Sequence, residues 1–325
     1  MKDEFSLIRS ITPEKAYHKE LIQGIGDDSA IYTPIQNEHQ IVCMDTMVEG
    51  VHFTEQTMSP FQIGWKALAV NLSDIAAMGG TPDYYLVSIA FPSVWYDRIN
   101  EIYRGLSDLA KRFNIDLIGG DTVSSDKLTI TVTAIGHTFK RKYFLRSQAW
   151  PGDVILVTGT LGDSAAGLRI LLGELRGNDD EMERTLIKNH QLPFPLIEAG
   201  QIMAQMPYHT SLNDISDGLA SEANEIAEAS GVKLIIDYSS LPKSDELLQL
   251  DPKLQKEYSL FGGEDYQLLI TAPESAVLEY QQAFKKVGIR LTRIGYVEEG
   301  SPSVYLVDGQ DKALLSKKGF NHFTD

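Results

Sequence analysis

The segment "PFQIGWKALAVNLSDIAAMGG", Pro60 to Gly80, reads as a mostly apolar helix ended by glycines. A helix with so little polar surface has to be largely buried, and the rest of the chain must cover it. At 325 residues with 43% hydrophobic content the chain can do so, and its length suggests two domains. The same helix carries Asp74, with Asn71 one turn before it on the same face and apolar neighbours almost everywhere else. A carboxylate there is expensive unless it is paired or bound to a metal. An exposed stripe on an amphipathic helix is the alternative, and both readings stand.

Strand-like and helix-like segments interleave along the chain. "HQIVCMDTMVEGVHF" begins as a β-rich run, "DYYLVSIAFP" is a strand candidate, and "DRINEIYRGLSDLAKRFN" is an amphipathic helix. "IDLIGGDTVSSDKLTITVTAIGHTF" supplies two strands around a polar turn. At "TFKRKYFLRSQAWPGD" basic residues cluster in an otherwise acidic chain and close on Pro-Gly-Asp, which places a domain boundary. Residues 1–138 and 139–325 are the expected domains. The second opens with the strand "DVILVTG", continues through helices and ends in strands, so the fold class is α/β (α+β) in two domains.

Composition excludes several function classes. A formal net charge of −16 argues against a nucleic-acid backbone or an anionic membrane as main partner. No run of eighteen apolar residues and no signal-like start occurs, which favours the cytoplasm. The single cysteine, Cys43, excludes an intrachain disulfide framework and a Cys-rich zinc site. An anionic ligand would need cations as intermediaries, and magnesium, held by a few carboxylates together with phosphates, fits that need.

Several motifs place carboxylates where sites are commonly built. In "GIGDDSAIY" Asp27 and Asp28 follow a Gly-x-Gly turn and precede an apolar strand; a solvated turn is the plain account. "LIGGDT" sets Asp121 after Gly119 and Gly120 at the end of an apolar strand, as a cation ligand or in a hairpin turn. Asp45 interrupts the run in "VCMDTMVEG". "NDISDGL" puts Asp214 and Asp217 around Ser216 at a helix start, where capping would suffice, and where free N–H groups could also meet a phosphate. "GTLGDSAAG" likewise offers either phosphate-binding N–H groups or a helix cap. If Asp28, Asp45, Asp74, Asp121, Asp214 and Asp217 converge, cations must separate them, because each like pair about 4 Å apart costs on the order of 4 kcal/mol at an effective dielectric near 20. Walker, dinucleotide-fold, zincin, hydrolase-elbow and protein-kinase motifs are all missing.

"GIGDDSA", "DTMVEGVHF", "WKALAVNLSDIAAMGG", "LIGGDT", "RSQAWPGD", "VTGTLGDSAAGL", "DISDGL", "GGEDYQL" and "KGFNHF" run in order across nearly the whole chain. In this the sequence closely resembles the thiamine-monophosphate kinase family, within the superfamily of aminoimidazole ribonucleotide synthetase and selenophosphate synthetase. The resemblance implies a two-domain fold of that type, with N-terminal domains pairing in a homodimer and strands of both subunits forming a shared barrel. It also implies ATP-dependent phosphorylation of thiamine monophosphate to thiamine diphosphate, with several magnesium ions between the phosphates.

By the same resemblance Asp28, Asp45, Asp74, Asp121, Asp214 and Asp217 are the expected magnesium ligands, and Tyr103, Gly120, Asp121, Arg146 and Ser216 the nucleotide contacts. Asp121 and Arg146 are the expected catalytic pair, while His52, Glu264 and Phe320 would receive the thiamine moiety. Cys43 and Met44 stand where the family often has hydroxyl residues, so only the Met44 backbone carbonyl could replace them as a ligand, and Gln148 stands where glycine is usual. The expected chemistry is direct in-line transfer without a phosphoenzyme, and it needs no base because the attacking phosphate is already anionic. The rival readings are another ATP-using synthetase of the superfamily, disfavoured by the position of Cys43 and by "VEGVHF" and "KGFNHF", and a non-enzymatic acidic cation-binding protein.

Overall fold

The structure is a computed structural model, and it describes residues 4–13 and 15–319. The chain divides into two compact units, Met1–Ile75 with Gly80–Arg141, and Ala76–Gly79 with Lys142–Asp325. The four residues that close the apolar helix thus belong with the second unit, an exchange that a single cut along the sequence does not express.

The first unit contains α1 (Glu4–Ile11), β1 (Leu21–Gln23), β2 (Ile31–Tyr32), β3 (Gln40–Val48), most of α2 (Pro60–Ala77), β4 (Thr81–Phe91), α3 (Ile99–Phe113), β5 (Asp116–Ser124) and β6 (Thr129–His137). Its main sheet has the order β3-β6-β4-β5, antiparallel except for the β4–β5 pair, which α3 connects. Burial alternates along β6, with Ile130, Val132 and Ala134 inside. One face is therefore packed, while Val42 and Met44 of β3 point from the other at 65% and 64% exposure. The helices approach closely: a Cβ on Gly64 of α2 would lie 1.8 Å from the Ile102 carbonyl oxygen of α3, and one on Gly105 would lie 2.0 Å from that of Phe61. Any side chain at either glycine would force the helices apart. The end of α2 follows the glycine signal, because Gly79 takes φ 71° and the Gly80 N–H donates to the Ile75 carbonyl.

"LIGGDT" departs from the hairpin alternative. It lies inside β5, which among the described residues pairs with β4 alone, in parallel, and β6 lies on the other side of β4. Contacts of long sequence separation decide this, and no local pattern carries them.

The second unit contains β7 (Val154–Thr158), α4 (Asp163–Leu171), α5 (Asp180–Gln191), α6 (Ile197–Ala204), β8 (Ser211–Asp214), α7 (Leu219–Ser230), β9 (Lys233–Asp237), α8 (Pro252–Phe261), β10 (Leu268–Ala272), α9 (Glu274–Lys286), β11 (Leu291–Glu298), β12 (Ser303–Asp308) and β13 (Asp311–Leu314). They form the sheet β13-β12-β9-β11-β7-β10-β8. The uninterrupted apolar run of β7 is buried at every position, as a central strand requires. Leu219, Ala223, Ile226 and Ala227 of α7 pack on Ile155, Val157, Leu234 and Ile236 of the sheet. Each large aliphatic side chain buried this way contributes about 1.5–3 kcal/mol. Among the described residues no helix is long and apolar enough to cross a membrane.

Candidate active site

The ends of β8 and α7 carry "NDISDGL", and here the capping account fails. Helix α7 begins only at Leu219, its N-cap is Gly218, and no side chain caps it. Asp214 is 4% exposed at the end of β8, paired in register with Leu268. Glu222, in the first turn of α7, reaches back to the loop. Its Oε1 accepts from the Asp217 N–H at 2.8 Å, from the Ser216 N–H at 3.3 Å and from Ser216 Oγ at 3.2 Å. These backbone donors are therefore already engaged and are not offered to a phosphate. Glu222 is 2% exposed, and burial pushes its carboxyl up to about 7. Among the described residues its other oxygen, Oε2, is buried with no hydrogen-bond partner.

The "GGEDYQL" loop interlocks with this one. The Glu264 N–H donates to the Ser216 carbonyl at 2.7 Å, Tyr266 to Ile215 at 2.9 Å, and Ile215 to Gln267 at 2.7 Å. Glu264 and Tyr266 hold positive φ of 67° and 49°, an unfavourable conformation for residues with a Cβ that accompanies functional loops. Gly319, at the end of the described chain, lies so close that a Cβ there would sit 2.4 Å from the Asp217 carbonyl oxygen. Phe320, expected at the substrate, lies outside the described residues.

Arg146 joins the same cluster from a short turn, Arg146–Gln148. Its Nε donates to Asn213 Oδ1 at 2.9 Å and its Nη1 pairs with Glu225 Oε2 at 3.1 Å, with half of the side chain still exposed. The substitution at Gln148 has a structural use, since its Oε1 accepts the Leu145 N–H at 2.9 Å. The "GTLGDSAAG" turn settles as a cap: the carboxylate of Asp265 accepts from the N–H groups of Gly162 at 2.7 Å and Ser164 at 3.2 Å. Burial holds the Asp265 carboxyl well above the usual range, and those N–H groups oppose the shift. A helix N-terminus filled by a buried carboxyl has no room for phosphate.

The first unit arranges its residues differently. Asp28 follows Gly26, whose φ is 122°, and its N–H donates to Asp27 Oδ1, so Asp27 supports the turn. The Asp45 N–H donates to Asn71 Oδ1 at 3.1 Å, and Asn71 is fully buried one turn before Asp74 on α2. Burial raises the Asp45 carboxyl. Register then separates Asp45 from Asp121. Asp45 lies opposite Val132, which lies opposite Val87 and, beyond it, Gly120, on the packed face; Asp121 lies in the row Ser88, Thr131, Thr46, on the open face. Three strand spacings, on the order of 14 Å, also lie between them. Among the described residues no three acidic, histidine or cysteine side chains form a cluster able to hold a metal.

Gly120, Tyr103, Met44 and His52 have the following surroundings. Gly120 brings the backbone against the neighbouring strand, because a Cβ there would lie 2.0 Å from the Val87 carbonyl oxygen. Tyr103 is a core residue of α3 at 8% exposure, its phenol raised by burial, and offers little surface to a nucleotide. The Met44 side chain lies on the open face. His52 accepts the Val48 N–H on Nδ1 at 3.0 Å, so the neutral ring carries its proton on Nε2. Glu222, Asn213 and Glu225 carry no role in the sequence reading, Asp265 enters it only within "GGEDYQL", and Asn71 only as the neighbour of Asp74. An acid within the alanine-rich "LASEANEIAEAS" was the only local signal for the first.

Comparison with known proteins places this geometry. Residues 26–138 match the N-terminal domain model of the AIR synthase related proteins, and residues 151–307 match the C-terminal one. The thiamine-monophosphate kinase of Bacillus subtilis (strain 168) is 48% identical over 99% of both chains. The crystal structure of thiamine-monophosphate kinase from Stenotrophomonas maltophilia K279a superposes with a TM-score of 0.84 at 34% identity, covering 95% of this chain and 96% of that one. AaThiL complexed with AMPPCP and TMP gives a TM-score of 0.74 at 34% identity over 92% of each chain. With its loops knit as described and its length matched end to end, the chain belongs to the thiamine-monophosphate kinase family of AIR synthase related proteins.

Proposed function

We propose that the protein transfers the γ-phosphoryl group of ATP to thiamine monophosphate, giving thiamine diphosphate and ADP, in the cytoplasm. The observation that carries this reading is the full-length identity to thiamine-monophosphate kinases, together with an interlocked Ser216–Asp217 and Glu264 loop pair that helix capping does not explain.

The residues present suit magnesium. The donor set is all oxygen, the Asp45 carboxyl is raised by burial alone, and Glu222 keeps a buried, unpartnered oxygen beside Asp217. Asp28, Asp45, Asp74, Asp121, Asp214 and Asp217 would hold the ions. Bound magnesium supplies neutralisation of phosphate charge where the two anionic substrates meet.

Arg146, already oriented by Asn213 and Glu225, supplies a guanidinium for the nucleotide phosphates. His52 presents Nε2–H toward the acceptor, and Glu264 matches the positive charge or amino group of the thiamine rings. The attacking oxygen belongs to the acceptor phosphate. As its bond to the γ-phosphorus forms, the bond from that phosphorus to the β-phosphate oxygen breaks and ADP leaves, with no catalytic base and no phosphoenzyme.

The two domains, 1–138 and 139–325, divide the work, the first for ATP, magnesium and pairing, the second completing the substrate site. The exposed Val42 and Met44 on the open sheet face support a homodimer in which two first domains join through those faces. Thiamine diphosphate formation tests the reading, measured with ATP, magnesium and thiamine monophosphate, with unphosphorylated thiamine as control and Asp121→Asn as the variant. Product from the monophosphate alone, lost in the variant, is expected. No product from folded wild type would overturn it.

A further inference from the structure

A buried histidine stands behind the proposed recognition carboxylate. His190 lies in the last turn of α5 and is 1% exposed, on the same helix face as Met182 and Leu186, which join a small apolar core. Packing alone would be served by an aliphatic side chain at this position. Instead its Nδ1 lies 3.1 Å from Ser164 Oγ and 3.4 Å from Glu264 Oε2. Both contacts use one ring nitrogen. The ring is thereby placed between the Ser164 hydroxyl and the Glu264 carboxylate.

Glu264 is thereby fixed at both ends. Its main chain is held in a left-handed conformation with the N–H on Ser216, and its carboxylate lies beside the imidazole. The side chain nevertheless keeps 27% of its surface exposed. A carboxylate gripped from the buried side and open on the other is built to meet a ligand.

We propose that His190 is a positioning residue for acceptor recognition: by fixing the orientation of the Glu264 carboxylate it sets the affinity for the cationic, amino-bearing rings of the acceptor. This rests on the reading in which Glu264 meets the thiamine moiety. Ser164, the third member, fixes the imidazole and is itself anchored by its N–H on Asp265.

The test measures kcat and KM for both substrates in the full-length enzyme carrying His190→Leu, His190→Asn, Glu264→Gln, or His190→Leu with Glu264→Gln. Asparagine keeps a donor close to the Nδ1 position; leucine removes it. His190→Leu is expected to raise KM for thiamine monophosphate about tenfold while leaving KM for ATP within about twofold. His190→Asn recovers most of that loss, and in the Glu264→Gln background His190→Leu adds less than about twofold. An equal effect of His190→Leu in both backgrounds, or a parallel rise in both KM values, overturns the proposal. If Glu264→Gln leaves KM for thiamine monophosphate unchanged, the assignment of Glu264 falls and the proposal with it, while the activity stands. Absence of thiamine diphosphate with wild type overturns both, and is a distinct result.

Discussion

The two units treat their acidic residues in opposite ways. In the second unit Ser216, Asp217, Glu222 and Glu264 are tied together by short backbone and side-chain bonds, and Arg146 is held by Asn213 and Glu225. In the first, Asp45 and Asp121 belong to opposite faces of one sheet, and Asp28 sits in a loop of its own. The second unit's acidic loop is held by its own scaffold, whereas the acidic residues of the first are dispersed over theirs. Local motifs thus announce the one, and only strand order reveals the other.

Charge removal probes this contrast most strongly. Asp217→Asn and Asp121→Asn are each expected to lower kcat on the order of 10²-fold or more, since each removes a carboxylate that would hold the magnesium neutralising the phosphates. Intact activity in Asp121→Asn beside a dead Asp217→Asn would break the comparison, by showing that the dispersed residues stay outside the site.

A second, smaller effect concerns the scaffold of the tied half. Glu222→Ala leaves the N–H groups of Ser216 and Asp217 without their acceptor and is expected to cost about 1–3 kcal/mol in urea unfolding. Glu222→Gln keeps an acceptor oxygen and should lose less than half as much. Equal losses would mean that the charge, and not the bond geometry, holds the loop.

The smallest effect lies in the first unit, away from the site. His18 is bonded to Asp83 and to Asp116, and these carboxylates, Asp83 foremost, raise its pKa above 6.5 against the effect of burial. A raised folded pKa stabilises the protein fully below the unfolded value of about 6.5, and that contribution is lost as pH rises through the folded value. Tm should therefore decline modestly from about pH 6 to about pH 9, and His18→Gln should flatten the decline. An unchanged slope in the variant would remove His18 as its source.

Much of this was legible in the residues. The apolar helix, its glycine stop, the continuous burial of β7 and the loop-borne carboxylates all follow from local pattern. The roles at helix starts did not, because an Asp beside a predicted helix looks like a cap whether or not the helix begins there; α7 begins two residues after Asp217. Asp265 was read only as part of a motif, since its partners at Gly162 and Ser164 are about a hundred residues away in sequence. The order β3-β6-β4-β5 was equally out of reach, because pairing across the chain is set by packing and loop closure, and neighbouring residues carry no record of it.

The reach of Glu222 back to Ser216 and Asp217 bears on how portable the site is. Grafting "NDISDGL" alone onto another scaffold would move the carboxylates without the acceptor that shapes their loop, and without the 264–267 segment that its carbonyls and N–H groups meet. The smallest transplantable unit is therefore discontinuous: the strand end, the first turn of the following helix, and a stretch of chain some forty residues further on.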